Sequence, residues 1–215
     1  REAFSRFRLR PRVLVDVSSV TTRTTVLGTP VSMPVLVAPM GFQAIAHEEG
    51  EVAMARGAGA AETVMCLSTV ATSTPSDVAA AAPDAPRWLQ IYVFRDREVS
   101  DAVISEALEA GFSALVLTAD LPVYGIRHRE ARAGFGVPED DVPAIAAARA
   151  RGGEDDEHHA LGLLDSGLQW DYVTELRERW GVPVIVKGLL TGEDARLACD
   201  HGASAVVVSN HGGRQ

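Results

Sequence analysis

Six short apolar runs, each rich in Val, Ile or Leu and each followed by polar or glycine-containing punctuation, constrain this chain most. They cover Met33 to Pro39, Thr63 to Leu67, Trp88 to Val93, Ala114 to Ala119, Pro183 to Lys187 and Ala205 to Ser209. Runs this short and this uniformly apolar read as strands buried on both faces. Helical segments with recognisable starts lie between them. Thr74, with Pro75 and Asp77 behind it, reads as an N-cap with proline in the first turn, and Thr191 with Asp194 reads as a capping box. Gly111 and Gly202 stand where helix C-termini should end. Strands alternating with helices imply right-handed crossovers onto a parallel sheet, so the fold class is α/β. With 215 residues, 47% of them hydrophobic, the chain can bury a sizeable core in one domain or at most two, and a disordered or collagen-like chain is excluded.

An open sheet gathers its ligand at a switch point, whereas a barrel sends the loop after every strand to one mouth. The second arrangement fits better. Polar or catalytic residue types end nearly every run: Ser68, Gln90 and Tyr92, Thr118 and Asp120, Lys187, and Ser209 with His211. The one dinucleotide-like glycine pattern, Gly57-Ala58-Gly59, closes a helix and precedes a strand, which is the wrong order for holding a pyrophosphate. One connection breaks the rhythm. From Asp120 to Val182 the chain runs long, through the polar stretch Gly152 to His159, before a helix near Trp170 to Trp180. Residues 121–169 therefore read as a lid-like connection after the fourth strand, within a single domain.

Charge and cysteine usage narrow the partners. With 29 acidic against 20 basic residues, a net charge of −9 and no basic stripe, neither a nucleic acid nor an anionic membrane surface is expected. A small molecule or another protein is. Cys66 and Cys199 lie far apart, which fits a reducing compartment, cytoplasm by default, and argues against a disulfide framework or a cysteine zinc site. The longest apolar stretch, Met33 to Phe42, is too short to span a bilayer and holds two prolines.

Two features carry chemistry. Lys187 is the single lysine among 20 basic residues, and it ends the apolar strand Val184-Ile185-Val186. A compact ammonium at a barrel mouth reads as functional, against the plain alternative of a lysine snorkelling from the rim. The run Ser209-Asn210-His211-Gly212-Gly213-Arg214-Gln215 then joins a titratable imidazole, two glycines that allow close backbone approach, and an arginine able to grip a carboxylate. An ordinary glycine turn explains the glycines but not the coincidence of residue types.

This run resembles the active-site signature of the FMN-dependent 2-hydroxy-acid oxidase and dehydrogenase family, which includes glycolate oxidase, lactate oxidase and monooxygenase, and mandelate dehydrogenases. Segments resembling the family occur in the same order along the whole chain: residues 7–12, 38–41, 67–69, 89–92, 117–120, 186–188 and 193–196. The resemblance implies a TIM (β/α)8 barrel, of which this chain supplies about six β/α units, with FMN as cofactor across the C-terminal mouth. It places backbone at Pro39, Met40 and Gly41 along the flavin, Ser68, Gln90 and Thr118 on its ring, Ser209 nearer the ribityl and phosphate side, and Lys187 by N1 and the C2 carbonyl. A fixed cation there stabilises the charge of the reduced flavin. It further implies that His211 is the general base toward a 2-hydroxy acid, that Arg127 and Arg214 clamp the substrate carboxylate, that Tyr92 donates a hydrogen bond to substrate, and that Asp120 favours the imidazolium. Oxygen or another electron acceptor, and a homotetramer, follow as implied partners.

The resemblance also marks departures. The chain stops at Gln215 after six strands, before two further strands with the family's FMN-phosphate segments, and it lacks the family's N-terminal substrate-contacting tyrosine, so a fragment is expected, with unpaired edges near Val35 and Val207. Val70 stands where glycolate oxidase carries a tryptophan, which leaves room for a larger or different substrate side chain, and Met40 takes a position that is often small or polar. No metal site is expected. Acids beside His47 suit a helix start, and Glu154 to His159 reads as a solvated lid. An inactive fragment or interaction module, and another FMN barrel enzyme such as an isomerase, are the alternative readings.

Overall fold

The computed structural model describes residues 2–123, 125, 127–152 and 160–213. An antiparallel hairpin, β1 (Thr24–Val26) and β2 (Thr29–Val31), precedes five parallel strands: β3 (Met65–Ser68), β4 (Arg87–Ile91), β5 (Leu115–Thr118), β6 (Val184–Leu189) and β7 (Ala205–Val208). The helices are α1 (Glu2–Ser5), α2 (Gly50–Ala60), α3 (Pro75–Ala81), α4 (Arg97–Glu109), α5 (His128–Ala133), α6 (Pro143–Ala150), α7 (Asp171–Trp180) and α8 (Gly192–Asp200). Neighbouring strands are neighbours in sequence, with helices between them, so the chain is a partial α/β barrel.

Strand periodicity divides the core into two layers. Met65, Leu67, Leu89, Ile91, Leu115, Leu117, Val184 and Val186 face one way and bury against the helices, through Val78, Ile104 and Leu176 among others. Val64, Cys66, Trp88, Val116 and Ile185 face the other way and pack with Val26, Leu27 and Val31 of the hairpin. The hairpin therefore covers the base of the inner layer. Each fully buried Leu or Val contributes about 2 kcal/mol.

Helix ends follow local chemistry. The Thr74 side chain accepts from the Asp77 N–H, and the Asp77 carboxylate accepts from the Thr74 N–H, completing the expected capping box. At α8 the box is half made: the Thr191 hydroxyl accepts from the Asp194 N–H, but the Asp194 carboxylate turns to the Thr191 hydroxyl instead of its N–H. Gly111 and Gly202 follow their helices at φ +82° and +85°, the left-handed conformation that suits glycine.

The first apolar run departs from expectation. Met33 to Pro39 forms no ladder strand; only Val37 bridges to Met65, its N–H donating to Val64 O and its carbonyl accepting from Cys66 N. Pro34 and Pro39 lack the donors that a longer ladder needs. Within the long connection after β5, α6 buries Ala144, Ile145 and Ala148 in a cluster with Val99, Phe94 and Tyr92.

Candidate active site

The inner face of the sheet changes character toward the strand C-termini. Ser68, Gln90, Thr118 and Lys187 continue the parity of Cys66, Trp88, Val116 and Ile185, so the same face that is apolar at the base becomes polar at the mouth. Register pairs Ser68 with Gln90 and Thr118 with Lys187. All four are buried.

Hydrogen bonds fix part of this layer. The Ser68 hydroxyl donates to Gln90 Oε1 at 2.9 Å. Thr69 Oγ1 donates to the Gln90 carbonyl at 2.7 Å and accepts from the Tyr92 N–H at 2.9 Å, tying the ends of β3 and β4 together. Gln90 Nε2 and Thr118 Oγ1 are buried without a partner among the described residues. An orphaned buried donor is expensive unless a ligand satisfies it. These two atoms thus fit a polar heterocycle laid over the strand ends, as an isoalloxazine ring would be.

Four further side chains meet beside that layer. His211 Nδ1 lies 2.9 Å from Asp120 Oδ1, Tyr92 Oη lies 3.4 Å from His211 Nε2, and Lys187 Nζ lies 3.4 Å from His211 Nδ1 and 4.0 Å from Asp120 Oδ1. Nδ1 cannot both donate to the carboxylate and accept from the ammonium. The shorter contact assigns its proton to the Asp120 bond, which leaves the Nε2 lone pair facing the phenol. Burial lowers the Lys187 pKa, an effect that Asp120 opposes. Burial pushes the Tyr92 phenol up to about 12, Asp120 adding to the rise and the Arg127 charge opposing it, so Tyr92 stays a donor at neutral pH.

The backbone around these groups is unusual. His211 adopts φ 54°, and Gly212 and Gly213 follow at 72° and 74°. The turn is held by the His211 N–H donating to Ser209 Oγ and the Gly213 N–H donating to Asn210 O. A non-glycine residue in the left-handed region is a mark of functional sites. On β6, Gly188 sits at a register shift with φ +110°, and a Cβ there would stand 2.6 Å from the Asp120 Cβ. Only glycine lets Asp120 pass.

The sequence-predicted residues mostly converge. Ser68, Gln90, Thr118, Lys187, Tyr92, Asp120, Ser209 and His211 share this mouth, and Arg127, ion-paired with Glu130, is near enough for its charge to act on Tyr92. Pro39, Met40 and Gly41 enter the same neighbourhood along the backbone: the Phe42 N–H donates to Val70 O, and a Cβ on Gly41 would meet Val70 Cγ2 at 2.5 Å. Met40 is half exposed. Arg214 and Gln215 lie outside the described residues, as do Glu154 to His159. Three contributors had escaped the sequence reading: Thr69, Gly188 and Glu51, whose buried carboxylate reaches both the Gln43 and the Thr72 turns. A glycine directly after a strand-end lysine was the only hint of the second, and nothing marked the third.

Known proteins resemble this chain along its whole length. The pattern of one protein family, described as FMN-dependent dehydrogenase, matches residues 1–215. Glycolate oxidase of Spinacia oleracea is 42% identical over 225 residues, covering 100% of this chain and 60% of that enzyme, and L-lactate oxidase of a Nostoc strain is 40% identical, covering 100% and 62%. The chain thus spans about three-fifths of the curated relatives it matches. Among solved structures, an oxidized active mutant of (S)-mandelate dehydrogenase superposes with a TM-score of 0.87 at 33% identity, covering 100% of this chain and 62% of the other. Mandelate oxidase with (S)-4-hydroxymandelic acid gives 0.87 at 35%, covering 100% and 61%.

Proposed function

This chain belongs to the FMN-dependent dehydrogenase family, and from that premise we propose that the whole protein binds FMN over its strand ends and oxidises an L-2-hydroxy acid to the 2-oxo acid. The observation that carries the proposal is the joint placement of the His211, Asp120, Tyr92 and Lys187 cluster and the two orphaned polar atoms of Gln90 and Thr118.

When bound, FMN would supply the two-electron acceptor that the oxidation of a 2-hydroxy acid needs. The rest falls to side chains of this chain. His211 Nε2 takes the substrate proton, while Asp120 holds Nδ1–H and with it the ring orientation, at 2.9 Å. The imidazolium that forms faces a carboxylate, so charge separation is short. Tyr92, whose Oη lies 3.4 Å from His211 Nε2, donates to a substrate oxygen beside that nitrogen. Arg127, with Arg214, grips the substrate carboxylate, because a planar guanidinium matches two oxygens at once. Ser68, Gln90 and Thr118 hold the heterocycle, Pro39 to Gly41 and Ser209 border it, and the Lys187 ammonium offers fixed positive charge where an anion needs it.

Val70 packs with Tyr92, Leu121 and Phe42 at the edge of the site. Its small side chain supports a substrate with a substituent larger than that of glycolate. Oxygen or another electron acceptor completes turnover, and a homotetramer in the cytoplasm is the proposed setting.

A second reading has one observation in its favour. Val207 and Val208 on β7 are exposed, as they would be in a module that folds against another polypeptide. Titrating FMN with residues 1–215 and with the full-length enzyme, then assaying glycolate, lactate and mandelate, separates the two. We expect quenched flavin fluorescence and turnover for the full-length enzyme. Flavin binding without turnover of any 2-hydroxy acid would contradict the oxidation, and no binding by either form would contradict the cofactor.

A further inference from the structure

Glu51 is fully buried, 0% exposed, near the start of α2. A carboxylate taken out of water costs several kcal/mol unless hydrogen bonds replace the solvent. Here four do, and none comes from its own helix. Oε1 accepts from the Gln43 N–H at 3.1 Å and the Thr72 N–H at 3.1 Å; Oε2 accepts from the Thr72 hydroxyl at 2.6 Å and the Ser73 hydroxyl at 3.3 Å. An acid that merely answers the helix dipole would stay solvated, as the exposed Glu48 and Glu49 do.

The donors belong to the two turns that border the mouth. Gln43 follows Met40 and Gly41, and its side-chain amide donates to Met40 O at 3.3 Å. Thr72 and Ser73 follow Val70, whose carbonyl accepts from the Phe42 N–H at 3.0 Å. The turns touch closely enough that a Cβ on Gly41 would meet Val70 Cγ2 at 2.5 Å. One carboxylate thus bridges the turn after Met40 and the turn after Val70.

We infer that Glu51 is a positioning residue that clamps the Met40–Gln43 turn to the Val70–Ser73 turn, and so fixes the fit of both the flavin and the substrate substituent. The inference rests on the proposed function. Lys187 lies on β6, Asp120 follows β5 and His211 sits in the turn after β7, so none of these three is carried by the clamped turns.

The test uses the full-length, FMN-loaded enzyme. Glu51→Gln keeps the shape but puts an NH2 where one acceptor oxygen was, and each charged hydrogen bond is worth about a tenfold change in an equilibrium. We expect FMN Kd and substrate KM each to rise about tenfold on that scale, with kcat and its pH profile unchanged. Thr72→Val, which removes a single bond, should shift both constants the same way but less, and it decides the matter should Glu51→Gln fail to fold. Val78→Ala, a core change elsewhere, should lower Tm without moving either constant. A lower Tm with unaltered Kd and KM in both clamp variants overturns the inference, as does a changed kcat pH profile with KM unmoved. Wild-type enzyme that binds FMN but turns over no 2-hydroxy acid instead refutes the oxidation, and the Kd comparison alone then decides on Glu51.

Discussion

Tyr92 shows how burial sets chemistry one side chain at a time. It shares a buried cluster with Val70, Phe94 and Leu121, and desolvation lifts its pKa from 10.0 to about 12. A group raised on folding lends stability that is full below its unfolded pKa and is lost as pH climbs through its folded one. The window is therefore pH 10.0 to about 12. Ultraviolet difference titration of wild type against Tyr92→Phe should assign a phenol ionising near the top of that window, and one ionising near 10.0 would contradict its burial. Val70 poses a different test. Val70→Trp refills the space beside Tyr92, so KM for mandelate should rise at least severalfold while that for glycolate changes little; equal effects on the two would remove Val70 from the substrate wall.

Elements deliver these side chains through parity and termination. Lys187 and Gln90 were legible because a polar residue that ends an apolar run, on the inward parity, has a barrel mouth as its natural place. His211 was legible through its glycine-rich turn. Other features were hidden for physical reasons. The hairpin turns at Leu27 and Gly28, φ 47° and 78°, a left-handed pair that gives no signal when its first member is leucine. The run at Met33 to Pro39 has strand composition, yet its prolines leave one bridge. Glu51 carried no sign in the sequence, because its partners lie across two other turns. Gly188 gave little sign that Asp120 packs on it. Gly188→Ala, strained at φ +110°, should displace Asp120 and slow flavin reduction by about 10²-fold, as a misplaced catalytic group does; in an Asp120→Asn background the same change should add little. Additive losses would mean that Gly188 acts elsewhere. Thr74→Ala, which removes the α3 cap, should lower stability by about 1 kcal/mol in denaturant melts, with kinetics unaltered.

At the scale of the molecule, a partial barrel shares one inner face between a hydrophobic base and a polar mouth. The base is closed by Val26, Leu27 and Val31, and the mouth gathers groups from five successive strand ends. The outer edge of β7 has no strand partner among the described residues, and Val208 there is 77% exposed. An unpaired apolar edge invites association. Residues 1–215 alone should sediment above their 22.8 kDa monomer mass, whereas Val208→Lys should return them toward it; an ideal monomer without the substitution would show that the edge is protected. His211 is the proposed base of a flavin site built from these strand ends. Anaerobic mixing of the full-length FMN enzyme with L-lactate or (S)-mandelate, followed at the flavin absorbance, tests it most directly. Wild type should bleach within seconds, and His211→Ala should keep its flavin yet bleach at least 10²-fold more slowly. Bleaching at the wild-type rate in His211→Ala would contradict it.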